Sequence, residues 1–148
     1  MVICKSIIGI PKPQPRPRAF SRGGRAGVYN PKTADAWKAS VAASLGEWRG
    51  LELEGRIWIN LEFRMLRPKS HFGTGRNAEK LKKQAPEYHI QKPDIDNLVK
   101  STMDAITNIN LWRDDCQVDS LITRKVWVDR DPGVNIIIEQ KTNNKNKK

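Results

Sequence analysis

The chain has 148 residues, too few for more than one sizeable core, and carries 27 Lys and Arg against 16 Asp and Glu, a formal net charge of +11. Such a balance points to a polyanionic partner, and no apolar run approaches the ~20 residues of a spanning helix, which sets the nucleic-acid reading above a membrane one. Cys4 and Cys116 have no metal-ligand spacing and form no disulfide framework, and with His71 and His89 as the only histidines a zinc site is not expected. The start, Met1-Val2-Ile3-Cys4-Lys5-Ser6-Ile7-Ile8, lacks the long apolar segment of a signal peptide, so the expected location is cytoplasmic.

Val2 to Ile10 is rich in β-branched residues and reads as a first strand closed by Gly9 and Pro11. Pro11 to Arg18 is extended and stiffened by proline, and Ser21 to Gly27 is glycine-rich and expected to be mobile. Arg16, Arg18, Arg22 and Arg25 project from this stretch, either as an arm on DNA phosphates or as a solvated surface loop. Asn30-Pro31 has the chemistry of a helix start, and Ala34, Trp37, Val41, Leu45 and Trp48 follow as one apolar stripe that ends at Gly50. Trp37 and Trp48 therefore belong to a core or dimer contact and not to a base-stacking platform.

Leu53 to Phe63 alternates, with Leu53, Gly55, Ile57, Ile59, Leu61 and Phe63 on one face, which predicts a half-buried strand whose outward Trp58 needs a cover. Segment 67–92 has no sustained period; Ala78 to Gln84 could form a short helix, and Lys69, Arg76, Lys80, Lys82 and Lys83 suit a DNA-contacting flap. A helix follows with Asp96 placed to cap it and Ile95, Leu98, Thr102, Ala105 and Ile106 as its buried stripe. Gln117 to Val128 and Val134 to Glu139 read as the strands of a hairpin around Asp131-Pro132-Gly133. Residues 1–140 are thus expected to form one domain of mixed β-sheet with packed helices, an α/β class, and 141–148 a basic disordered tail.

The chemistry is concentrated in Pro93-Asp94-Ile95-Asp96-Asn97-Leu98-Val99-Lys100 and Trp112-Arg113-Asp114-Asp115. Residues two apart in an extended segment point the same way, so Asp94 and Asp96 can address one point. A cap role accounts for Asp96 alone, and Asp114 or Asp115 can return to meet the first two. Converging carboxylates stay ionised together around a cation, and oxygen ligands without His or Cys favour Mg²⁺ or Mn²⁺. Lys100 lies one helical turn beyond Asp96, suited to a phosphate oxygen or, in the plainer reading, to a salt bridge with Asp96 or Asp104.

The run D-x-D-N-x-x-K at Asp94 to Lys100, Asp104-Ala105, and D-D-x-Q-V at Asp114 to Val118 closely resembles the RusA family of Holliday junction resolvases of bacteria and their prophages. Gly9-x-Pro11-x-Pro13 and Gly27 to Thr33 resemble the opening of that family, so the likeness covers nearly the whole chain. The resemblance implies a homodimer of small α/β subunits that binds four-way DNA junctions by shape and cuts two opposing strands with Mg²⁺ or Mn²⁺, in recombination and repair. It implies Asp94, Asp96 and Asp115 as metal-binding acids and Lys100 as the essential lysine. Asp114 is then structural or a neighbour, Asp104 supports the helix, and Asn97 and Gln117 orient ligands or backbone. Trp58, Trp112 and the apolar face of helix 97–107 are candidates for the dimer interface. A broader nuclease on flaps or forks, and a non-catalytic basic DNA-binding module, are the alternatives that the residues leave open.

Overall fold

The computed structural model describes residues 1–142; the expected tail lies outside the described residues from 143 onward. The elements are β1 (Val2–Ile8), β2 (Arg18–Arg22), β3 (Arg25–Tyr29), α1 (Asp35–Ser44), β4 (Arg56–Leu66), α2 (Ile95–Asn108), β5 (Val118–Val128) and β6 (Gly133–Lys141). They form a small mixed α/β domain. A four-stranded sheet in the order β1-β6-β4-β5 has α1 and α2 on one face, and β2 and β3 make a separate ribbon. No helix among the described residues is long and apolar enough to cross a membrane.

Strand alternation decides which face is covered. Ile57, Ile59, Leu61, Phe63 and Met65 of β4, Val134, Ile136 and Ile138 of β6, and Ile3 and Ile7 of β1 are all buried under the helices. The predicted stripe of α1 meets them with Trp37, Val41 and Leu45, and α2 with Leu98, Ala105 and Ile106. Two polar bonds fix the helices: Trp37 Nε1 donates to Thr102 Oγ1 at 3.1 Å in the core, and Trp112 Nε1 to the half-buried Thr107 Oγ1 at 2.7 Å.

Several expectations are corrected. β5 and β6 are not a hairpin: β4 lies between them, parallel to β5 and antiparallel to β6, because β4 carries the most continuous apolar face and takes the centre. The turn before β6 instead brings Gly133 against β1, where a Cβ would stand 1.8 Å from the Ile7 carbonyl oxygen. The stretch expected to be mobile forms the β2–β3 hairpin, turning at Gly23 and Gly24, both with positive φ, as a two-residue hairpin turn requires. α1 begins at Asp35 with Ala34 in the cap position, not at Asn30-Pro31. No helix forms over 78–84; 3₁₀ turns at Lys69–His71 and Gly75–Asn77 and a bridge from Phe72 to Leu81 take its place. Trp112 and the apolar face of α2 are wholly used by the protomer's own core, so neither is available to a partner, whereas Trp58 sits on the uncovered face of the sheet beneath Lys141.

Candidate active site

α2 sets the site. Pro93 ends the preceding extended segment, and Asp94 takes the N-cap position while Asp96 stands in the first turn. This corrects the expectation that Asp96 is the cap, and neither carboxylate makes a capping hydrogen bond. Both side chains are exposed, close to the positive end of the helix dipole that favours them. The prolines of residues 11–17 lie across the start of α2: Gln14 N donates to Asn97 O at 2.9 Å and Ser101 Oγ to Lys12 O at 2.6 Å. The stiff N-terminal segment thereby locks the helix that carries the two acids.

The downstream pair divides its labour. Asp114 caps a short 3₁₀ turn over Asp115–Gln117, its carboxylate accepting from Cys116 N at 2.8 Å, and Gln117 completes a capping box. The bonds from the Cys116 backbone lead the causes that hold the Asp114 carboxyl below its ordinary range, and the hydrogen bond to Asp114, ahead of burial, pushes the Cys116 thiol up. Gln117 also donates through Nε2 to Leu53 O at 2.9 Å and Gly55 O at 3.0 Å, pinning the turn to the chain entering β4. Asp115 is left free of this scaffold and faces α2.

There it meets Lys100, whose ammonium lies 2.6 Å from Asp104 Oδ1 and 3.7 Å from Asp115 Oδ2. The Asp104 bond, more than any other contact, raises the Lys100 pKa and holds it charged. The salt-bridge reading of Lys100 is thus realised with Asp104, and the same ammonium reaches a second carboxylate on the 3₁₀ turn that leads into β5.

Lys125 had no place in the sequence reading. It faces the helix side of β5, opposite Phe63 of β4, and donates to Gln91 O at 2.7 Å and Pro93 O at 2.9 Å. Burial pushes its pKa down while the nearby Asp94 charge opposes the shift. A lysine on the Thr123, Lys125, Trp127 side of an alternating strand was the available signal.

Segment 67–92 is clamped beside this point. His71 and His89 pack on the Trp127 ring with centroids 4.9 and 4.3 Å away, and Arg67 lies over the same ring while its Nη1 donates to Pro86 O at 2.8 Å. Arg67 is therefore structural. Lys69, Arg76, Lys80, Lys82 and Lys83 stand exposed along the segment, as do Arg16, Arg18, Arg22 and Arg25 on and before the hairpin.

An all-carboxylate donor set suits a hard divalent cation. Among the described residues no three His, Cys, Asp or Glu side chains converge to hold one: Asp115 is paired with Lys100, and Asp94 feels the charge of Lys125 without an ion pair to it. The donor chemistry fits Mg²⁺ or Mn²⁺, in an arrangement where ammonium groups balance the acids.

Over 136 residues, 91% of this chain and 94% of the relative, the sequence is 28% identical to an uncharacterized protein of Bacillus subtilis (strain 168), YqaN. Residues 9–139, which contain every acid and lysine of the site, match the family described as Endodeoxyribonuclease RusA. The chain belongs to the RusA family of Holliday junction resolvases, and its activity at that level is that of an endonuclease.

Proposed function

We propose that the protein is a Mg²⁺-dependent endodeoxyribonuclease, accepting Mn²⁺, that binds four-way DNA junctions as a homodimer and resolves them by paired symmetric cuts. The observation that carries this reading is the freedom of Asp94, Asp96 and Asp115 from any capping bond, with Lys100 Nζ 3.7 Å from Asp115, in a chain of net charge +11. A fold that needed these acids only for local structure would use them as it uses Asp114.

Asp94, Asp96 and Asp115 would hold the ion, which when bound supplies an activated water and charge compensation at the leaving 3′ oxygen. Lys100 presents its ammonium to a non-bridging phosphate oxygen, where charge builds up as the bond breaks. Asp104 keeps that ammonium charged and oriented, and Lys125 fixes the peptide that leads into Asp94. Arg16, Arg18, Arg22 and Arg25 together with Lys69, Arg76, Lys80, Lys82 and Lys83 would bind phosphates and position the arms of the junction. One centre makes one nick, so two symmetric nicks need a second copy related by a two-fold axis.

The test is cleavage of a synthetic four-way junction beside a linear duplex of the same arms, in Mg²⁺ and in EDTA, with Asp94→Asn in parallel. Paired nicks in the junction alone, lost with EDTA or the substitution while binding persists, are expected. Equal cutting of flaps or forks would replace the junction reading by a broader branched-DNA nuclease. Tight binding without cutting in either metal would leave a DNA-binding module.

A further inference from the structure

The β2–β3 ribbon is a sheet of its own, and every residue in its strands is exposed except the half-buried Gly27. Its register decides what each face carries. Arg18 lies opposite Tyr29, Phe20 opposite Gly27 and Arg22 opposite Arg25, so strand alternation puts Arg18, Phe20, Arg22, Arg25 and Tyr29 on one face and leaves Ala19, Ser21, Ala26 and Val28 on the other. Three cations and two aromatic rings thus share one side of a ribbon that contains no acid. None of the three arginines takes part in an ion pair among the described residues. Gly27 makes room for the rings: a Cβ there would stand 2.6 Å from Phe20 Cζ, so the Phe20 ring lies across the glycine, and the Tyr29 ring follows with centroids 6.1 Å apart. Packing inside the ribbon does not account for these rings, since Phe20 stays 46% and Tyr29 47% exposed. Free cations flanking open ring faces are the chemistry of nucleic-acid binding, in which the cations take phosphates and the rings stack on bases of any identity.

We propose that Phe20 and Tyr29 stack on base faces exposed at the branch point of the DNA, while Arg18, Arg22 and Arg25 hold the phosphates around them. The proposal rests on the nuclease reading, which places DNA at Asp94. The ribbon is rooted beside that acid: Gln14, bonded to Asn97 O at the start of α2, precedes Phe20 by six residues, at most ~22 Å of chain. That reach equals about six steps along a duplex, so the rings can meet a branch point while the acids lie on a phosphate near it. A continuous duplex keeps the flat face of each base pair covered by its neighbour, and a branch point interrupts that stack. Ring stacking is therefore offered by a junction and withheld by a linear duplex, whereas phosphate contacts are offered by both. The ribbon would thus supply a preference for branched DNA without reading sequence. An anionic lipid surface also takes arginines and aromatic rings, but it gives no reason to root them beside the acids of an endonuclease.

The test places 5-iodouracil, which photocrosslinks to aromatic side chains stacked on it, at each position around the branch point and along the arms of a four-way junction, with the protein added in EDTA so that nothing is cut. Crosslinks to Phe20 or Tyr29, located by mass spectrometry, are expected at the branch point and not in the arms. In gel shifts beside it, Phe20→Ala and Tyr29→Ala should each weaken junction binding by ~tenfold or more while leaving linear-duplex affinity and the salt slope unchanged. Phe20→Trp should keep junction affinity, and Arg18→Ala should weaken both DNAs and flatten the slope. Because Phe20→Ala also uncovers Gly27, the crosslinks of the unaltered protein decide independently of it. Crosslinks confined to the arms, ring variants that bind junctions like the parent, or equal losses on junction and duplex overturn the proposal. Cutting in Mg²⁺ with no crosslink to the ribbon would overturn the stacking and leave the nuclease standing, and branch-point crosslinks in a protein that never cuts would keep the stacking and remove the nuclease. Binding to anionic vesicles that both ring variants lose, with no crosslink to DNA, would replace the proposal by a membrane contact.

Discussion

Lys100 Nζ lies 3.7 Å from Asp115 Oδ2, a contact that ties the second turn of α2 to the 3₁₀ turn leading into β5. The lysine side chain is 55% exposed, so the pair contributes little to stability and its geometry serves another purpose. Lys100→Met is therefore expected to lower junction cleavage by ~10²–10³-fold, the range for loss of one charge-stabilising donor. Unfolding free energy should change by less than ~1 kcal/mol, and junction affinity by little. A urea titration and a gel-shift assay run beside the cleavage assay separate these effects; a loss of stability that accounts for the loss of cutting would make Lys100 structural.

Metal binding should be visible without any DNA. An ion held by Asp94, Asp96 and Asp115 binds the folded chain alone, so Mg²⁺ at about a hundred times its dissociation constant adds ~2.7 kcal/mol and raises the melting temperature relative to EDTA. Asp94→Asn and Asp115→Asn should each remove the increment. An equal shift in the variants would place the ion elsewhere.

Much of this was legible in the chain because strand alternation and helix periodicity are local signals. The inward set of β4 and the stripe of α1 follow from spacing, whereas the grouping of Asp94, Asp96 and Asp115 comes from the family resemblance. Strand order was not: β5 and β6 are separated by a short turn, and only the pairing of β4 with both, set by its fully buried inner face, overrides the hairpin that the turn residues suggest. The cap was misplaced by two residues because the N-cap preference describes Asp94 as well as Asp96, and the chain uses neither side chain to cap. Lys125 stayed hidden because its role depends on carbonyls at Gln91 and Pro93, which lie more than thirty positions away in sequence. The clamp of His71, His89 and Arg67 on Trp127 is equally non-local.

Lys125→Met removes a charged donor from two carbonyls at once. A hydrogen bond of this kind is worth ~1.5–3 kcal/mol, so a loss of that order in urea unfolding is expected. Because those bonds fix the peptide before Asp94, the Mg²⁺ concentration for half-maximal cleavage should also rise, while that of a control such as Lys5→Met, far from the acids, should not. An unchanged metal requirement at reduced stability would limit Lys125 to holding the loop.

The basic arms make an electrostatic prediction. Each phosphate neutralised on duplex DNA contributes ~0.9 to the slope of log affinity against log salt. Arg18→Ala, Arg22→Ala and Arg25→Ala on the hairpin should each flatten that slope by about one contact and weaken binding to junctions of any sequence alike. A variant that altered the preferred cut position instead would show base reading by the hairpin.

His89 gives the fold a pH dependence with a definite sign. Burial first, and then the charge of Lys125, lower its pKa from the ordinary 6.5, and Arg67, His71 and Trp127 crowd the same corner. As pH falls below about 6.5 the unfolded chain takes up a proton on this residue before the folded chain does, so the folded state loses stability over that window, and the loss is complete below the folded pKa. Above the window the imidazole is neutral in both states and His89 adds no slope. Urea midpoints measured between about pH 5 and 8 should therefore fall on the acid side in the parent protein. They should fall less in His89→Phe, which keeps a ring against Trp127 and has nothing to protonate; identical acid slopes in the two proteins would assign the pH dependence to the carboxylates instead.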